Sequence, residues 1–208
     1  MVQMKEITAA VVEKTVELGR MLLNFGLVKR VTQHEDGVTY ESDSTHTVML
    51  GVMACAFAKE YVPDLDLGKV AQFALVHDLV EVYAGDTNTF GKIEHNPDKE
   101  EREREALARI KTEFDSVYPW LGDTITEYEQ LASREARYIK VFDKILPKVT
   151  HLLNAGSAVR AQGQTKEMAS AFIGAQIEKL AHSYATDQSE AMTLLKEMHA
   201  EFERKVFP

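Results

Sequence analysis

Apolar residues recur at three- and four-residue spacing along nearly the whole chain, which predicts a protein built of helices. Residues 4–25 give the first amphipathic segment, with Ile7, Val11, Leu18, Leu22 and Phe25 along one side and Gly26 as the stop. A polar stretch of about fifteen residues follows, long enough to suggest a functional loop. Gly37 to Tyr40 is its one short strand-like run. Asp43 or Ser44 is placed to cap a second helix that ends before Pro63, with His46 in its first turn and Leu50, Met53 and Phe57 facing inward. Asp66 caps a third helix from Leu67 to Ala84, which Gly85 ends.

Asn96 and Pro97 open a fourth helix, whose inward stripe is Leu107, Ile110 and Phe114. Trp120 and Leu121 read as a short packed connector. A fifth helix spans Ser133 to Asn154 and turns Ile139, Phe142, Leu146, Val149 and Leu153 inward. Pro147 lacks the N–H that would bond the Asp143 carbonyl, so this helix should bend or break there. Residues 165–184 and 188–205 close the chain as two helices, the last capped by Asp187. No internal repeat is visible, and a single domain over residues 1–208 is expected.

Composition narrows the class. At 208 residues and 45% hydrophobic content, the chain can bury a full core. A net charge of −9 argues against a nucleic-acid polymer as partner, because phosphate backbones demand clustered Lys and Arg. One cysteine, Cys55, excludes an internal disulfide and reads as a buried, inert thiol. With neither a basic-then-apolar leader nor a bilayer-length apolar run, a soluble, cytoplasmic protein without membrane contact is expected.

Chemistry concentrates in the third helix. Ala74, Leu75, Val76, Leu79 and Val80 make it apolar on nearly every side, so it should be buried. It nevertheless carries His77, Asp78 and Glu81. Burying that trio is costly unless a cation or a polar network compensates it. His46 upstream and Asp143, set among Val141, Phe142, Ile145 and Leu146, complete a candidate set of two imidazoles and two carboxylates. Mixed nitrogen and oxygen donors suit borderline first-row metals better than calcium. Each residue also has a plainer reading: a cap-region polar group for His46, a turn residue for Asp86, a surface salt bridge for Arg30. His34, His95 and His151 could supply a second ion, but His34 and His95 sit in polar loops and are read as solvated side chains.

The run HDLVEVYAGD from His77 to Asp86 follows His46 and precedes Asp143 in a later helix. This pattern resembles the HD-domain metal-dependent phosphohydrolases, and within them a 5'-deoxynucleotidase-like branch, from about Leu27 to Leu146. The resemblance implies an all-α, compact multi-helix HD-domain bundle with the metal site between helices. It implies one divalent ion (Mn, Co, Fe, Zn or Ni) held by His46, His77, Asp78 and Asp143, with Glu81 and Asp78 catalytic. Substrate contacts carried over by position are Arg30, Asp86, Thr87, Asn88 and Thr89. The implied reaction is removal of phosphate from nucleoside 5'-monophosphates by metal-activated water, in a homodimer. That branch has Trp directly after the arginine, whereas Val31 stands here, which leaves ribose against deoxyribose open. Competing readings are a hydrolase of polyphosphorylated guanosine, whose HDxxED pattern Val82 breaks, and an HD oxygenase, which needs further His ligands. A third is a metal-binding regulatory domain without catalysis.

Overall fold

Helices and one hairpin make up residues 6–86, 97–184 and 186–207, which the computed structural model describes. In order they are α1 (Ala9–Phe25), β1 (Lys29–Gln33), β2 (Tyr40–Ser42), α2 (Asp43–Tyr61), α3 (Leu67–Val76) and α4 (Glu81–Ala84). There follow α5 (Pro97–Phe114), α6 (Pro119–Glu129), α7 (Arg134–Asp143), α8 (Leu146–Leu153), α9 (Ser157–Ala161), α10 (Lys166–Tyr184) and α11 (Ser189–Val206). The all-α expectation holds, with a two-stranded antiparallel sheet added. Helix α2 packs on α3, α3 on α6 and α7, and α8 on α11. Leu50, Phe73, Ile110, Ile125, Tyr138, Ile139, Phe142, Leu146, Leu195 and Phe202 fill the shared core, each under 2% exposed. No helix among the described residues is long and apolar enough to cross a membrane.

Several boundaries differ from those the periodicity suggests. Ser42, not Asp43 or Ser44, caps α2, accepting a bond from the Thr45 amide at 3.2 Å. In α1 only Met21 and Phe25 are buried, while Ile7 precedes the helix at 80% exposure and Leu22 is 46% exposed. The buried face is thus an i, i+4 pair rather than the broader stripe. Pro119 starts α6, an eleven-residue helix where a connector was expected, and its Leu121, Ile125 and Tyr128 recur at helical spacing into the core. Gln188 rather than Asp187 occupies the last N-cap; Asp187 instead accepts from Arg137 at 2.7 Å. Leu153 points outward at 53% exposure, and Cys55 is half-buried.

The hairpin also departs from expectation. Gly37 lies in its turn at φ +67°, not in a strand, and Asp36 closes that turn by accepting from the Val38 and Thr39 amides at 2.9 Å each. Strand β1 occupies what reads as loop. The Asn154 side-chain amide donates to the Gln33 carbonyl at 2.9 Å and pins β1 to the end of α8.

Two helices break where the candidate ligands lie. After α3, the Leu79 and Glu81 amides bond the carbonyls three residues back, Val76 at 3.1 Å and Asp78 at 2.9 Å. This tightened turn separates α3 from α4, so the expected continuous Leu67–Ala84 helix is interrupted at His77–Val80. Asp66 caps its start through the Gly68 and Lys69 amides, and Gly85 ends α4 at φ +74°. The expected Ser133–Asn154 helix likewise divides into α7 and α8 at Lys144–Ile145, next to Pro147.

Helix α7 is tied to α2 by the buried Tyr138 hydroxyl, which donates to the Ala54 carbonyl at 2.8 Å. Tyr138→Phe keeps the packing and removes that bond, so it is expected to cost about 1 kcal/mol in urea unfolding with an unchanged m value. No measurable change would mean that the bond does not join the two helices energetically.

Candidate metal centre

Three structural interruptions aim four side chains at one point: His46 from the first turn of α2, His77 and Asp78 from the turn after α3, and Asp143 from the end of α7. One ligand atom from each lies within 4.8 Å of every other. His46 Nε2 is 2.9 Å from Asp143 Oδ1, and His77 Nε2 is 2.9 Å from Asp78 Oδ2 and 3.9 Å from Asp143 Oδ1. The two imidazole centroids are 5.4 Å apart. His46, His77 and Asp143 are buried, and Asp78 is half-buried.

The His77 ring carries the decisive detail. Its Nδ1–H faces the Ala74 carbonyl at 2.9 Å, which fixes the tautomer that leaves a lone pair on Nε2. That Nε2 is buried and has no hydrogen-bond partner, yet a carboxylate oxygen lies beside it. Two acceptors at such a distance need a cation or a proton between them. Glu41 Oε1, Asp43 Oδ2 and Glu81 Oε2 are likewise buried without partners. This donor set fits a divalent first-row ion.

Arg30, on β1, decides how many ions the cluster can take. Asp43, Asp78 and Glu81 form a second acidic group of suitable spacing. The Arg30 Nη1 already fills it, at 2.7 Å from Asp78, 3.1 Å from Asp43 and 3.9 Å from Glu81. A guanidinium in that place favours one metal rather than two. Arg30 is therefore a part of the site, not a surface ion pair at a helix end.

The acids respond to their surroundings in opposite directions. Burial tends to raise Asp78, but the Arg30 guanidinium helps to hold it below the usual carboxylate range. Burial likewise opposes ionisation of Asp143, and Lys144 and His46 overcome it. Glu81 goes the other way: burial, with Asp78, Asp43 and Asp86 nearby, pushes it up to about 10. Asp43 rises to about 6 by burial, against the pull of Arg30. Burial would lower His46, yet Asp143 and Glu41 raise it to about 9, so a metal must displace a proton to bind there.

Glu41 is a residue that the sequence reading missed. It lies on β2 at 2% exposure, accepts from the Thr32 hydroxyl, and faces His46 Nδ1 at 3.5 Å. An acid five residues before a helical histidine carries no distinguishing signal, because Glu and Asp near a helix start ordinarily serve its dipole. Asp43 was weighed only as a cap, and it is fully buried on Arg30. Asp86 is half-buried at the cavity mouth. Thr87, Asn88, Thr89 and His95 lie outside the described residues. His34 is exposed in the hairpin, and His151 is buried away from the four ligands.

A family model described as HD domain matches residues 27–184. The chain belongs to the HD-domain family. This HD-domain protein is 34% identical over 110 residues to the 5'-deoxynucleotidase HDDC2 of Dictyostelium discoideum, a match covering 50% of the chain and 57% of that relative. The match thus spans little more than half the curated relative's length. A crystal structure of a predicted metal-dependent phosphohydrolase from Magnetospirillum magnetotacticum MS-1 superposes with a TM-score of 0.74 at 23% identity, covering 96% of this chain and 97% of that one. A conserved hypothetical protein from Pyrococcus furiosus gives 0.54 at 21% identity over 89% and 98%. At these identities the two structures share the HD-domain protein's fold.

A cavity opens beside the ligands, lined by Arg30, Asp86, Asp143, Lys148, Phe172 and Gln176 among others. Lys148 is 4% exposed, and among the described residues no carboxylate lies within ion-pair distance of it. Burial, with the charge of Lys144, lowers it from 10.5 to about 7. The unfolded chain therefore binds more protons between those values, and this group makes stability rise with pH across that window. Lys148→Met removes the penalty. It is expected to stabilise the protein at pH 7 by about 1 kcal/mol or more, with a gain that shrinks toward pH 10. Urea midpoints of both proteins across that range test this; a destabilised variant would contradict it.

Proposed function

We propose that this HD-domain protein is a metal-dependent phosphohydrolase that removes phosphate from nucleoside 5'-monophosphates. One observation carries the reading: two imidazoles and two carboxylates from three parts of the chain converge beside an arginine that lines a cavity. The 34% identity to a 5'-deoxynucleotidase supports the nucleotide part of it. In this reading His46, His77, Asp78 and Asp143 hold the ion. When bound, a divalent ion there supplies Lewis-acid chemistry and makes water a competent nucleophile near neutral pH.

The chain's own groups account for the rest. Arg30 is held charged by Asp78, Asp143 and Glu81 despite its burial, and among the described residues its side-chain hydrogen bonds to Asp78 and Asp43 both run from Nη1. Its remaining N–H groups are donors for phosphate oxygens. Glu81 keeps its proton near neutral pH and can give it to the departing sugar oxygen as the phosphorus–oxygen ester bond breaks. Water adds to phosphorus in the same displacement, so the products are a nucleoside and inorganic phosphate. Asp86 is placed to accept from a sugar hydroxyl. Glu41 orients His46 through Nδ1 and leaves Nε2 for the ion.

Three outcomes follow. Asp78→Ala is expected to abolish stoichiometric metal binding and lower turnover by about a thousandfold or more, with far-ultraviolet dichroism retained. Screening mono-, di- and triphosphates of ribo- and deoxyribonucleosides with manganese, cobalt and zinc should release phosphate from monophosphates. Full turnover by Asp78→Ala, or inertness toward every nucleotide with every metal, would refute the proposal. Glu41→Gln should weaken cobalt affinity by about ten- to a hundredfold in equilibrium dialysis. Unchanged affinity would remove Glu41 from the site.

A further inference from the structure

Lys148 breaks a rule that the rest of the core obeys. Its ammonium is buried on α8 with neutral hydrogen-bond partners alone among the described residues, a carbonyl and an amide, and such a group costs stability that an apolar residue would not. Arg30 and Lys144, the other cations along the same cavity, are each tied to acids. A residue that lowers stability and violates the local pattern is expected at a functional position.

Its hydrogen bonds define what it can read. Below about pH 7, where the group is an ammonium and where the test is run, it has three donors. One goes to the Lys144 carbonyl at 2.8 Å and one to Gln176 Oε1 at 3.2 Å, which leaves one. The same contact orients the Gln176 amide: because Oε1 faces the ammonium, the NH2 group is turned away from it. Lys148 and Gln176 therefore offer two neighbouring donors in one cavity wall. Pro147, Val159, Phe172 and Ile173 supply apolar lining to the cavity, which Arg30 and Asp143 also line. An apolar surface beside two neighbouring donors suits a flat heterocycle with acceptors on one edge.

We propose that Lys148 and Gln176 read the base, selecting heterocycles that present an oxo acceptor over those that present an amino group. The proposal rests on the nucleotide phosphohydrolase reading above. Guanine and hypoxanthine offer O6 and N7 as a pair of acceptors, and uracil and thymine offer O4. Adenine and cytosine put an amino donor at that position, donor against donor, and leave a buried N–H unpaired.

The test uses metal-loaded full-length protein and compares kcat/KM for the 5'-monophosphates of inosine, guanosine and uridine with those of adenosine and cytidine. Phenyl phosphate is run in parallel as a substrate without a base. Wild type should favour the oxo bases by about tenfold or more, mainly through KM. Lys148→Met removes one donor. Gln176→Glu removes the amide donors and gives Lys148 a carboxylate, so each variant should bring the ratio to within about threefold of unity. Calorimetry with inosine and adenosine, which lack phosphate, should give the same order of affinities without turnover. Equal kcat/KM across the bases in wild type, or a preference that survives in both variants, overturns the inference. So does selective loss of nucleoside diphosphate binding in Lys148→Met, which would assign the lysine to a second phosphate. If phenyl phosphate and every nucleotide prove inert while inosine still binds better than adenosine, the hydrolase reading fails and base selection stands.

Discussion

Uncompensated negative charge governs this protein. Glu41, Asp43, Glu81 and Asp143 are buried, Asp78 and Asp86 are half-buried, and the six crowd around Arg30, Lys144 and two imidazoles, with Lys99 within electrostatic reach of Asp78, Glu81 and Asp86. Arg30 neutralises the Asp43, Asp78 and Glu81 side of the cluster. Opposite it, the Nε2 atoms of His46 and His77 face the oxygens of Asp143 and Asp78; Asp143 holds the His46 proton, whereas His77 Nε2 has no hydrogen-bond partner among the described residues. A carboxylate in such surroundings either takes up a proton or shares a cation. Glu81 takes the first course, and Asp78 and Asp143 are held to the second.

The fold serves that cluster through breaks in its helices. His77 and Asp78 sit in the tightened turn between α3 and α4, and Asp143 sits where α7 stops short of Pro147. A continuous helix would carry these groups past the site at a fixed rise and rotation. Ending the helix lets neighbouring residues face inward together. The hairpin completes the enclosure, since β1 brings Arg30 and β2 brings Glu41 against the start of α2. The Tyr138 and Asn154 tethers then hold α7 to α2 and β1 to α8.

The four converging side chains were legible because His46 and Asp143 flank the HDLVEVYAGD run at a spacing that chance seldom produces, and because His77, Asp78 and Asp143 are polar residues in apolar surroundings. Pro147 announced its own break through a missing N–H. The break at His77 was not legible, because Ala74 to Val80 keeps perfect helical patterning and the interruption arises from tertiary packing. Strand β1 was hidden for a similar reason: its Lys-Arg-Val-Thr-Gln run alternates toward the site rather than toward an apolar core. Helix α6 escaped because its polar composition masks only three core positions. Glu41 and Lys148 were invisible in principle, since their roles come from burial against residues distant in the chain.

The account stands on one ion shared by His46, His77, Asp78 and Asp143. Anomalous diffraction from a crystal grown with cobalt, collected on both sides of the metal edge, tests it most directly. One strong peak within coordination distance of those four side chains, with none between Asp43 and Glu81, is the result this account predicts. No peak there, with the imidazoles and carboxylates bonded pairwise to each other instead, would contradict it.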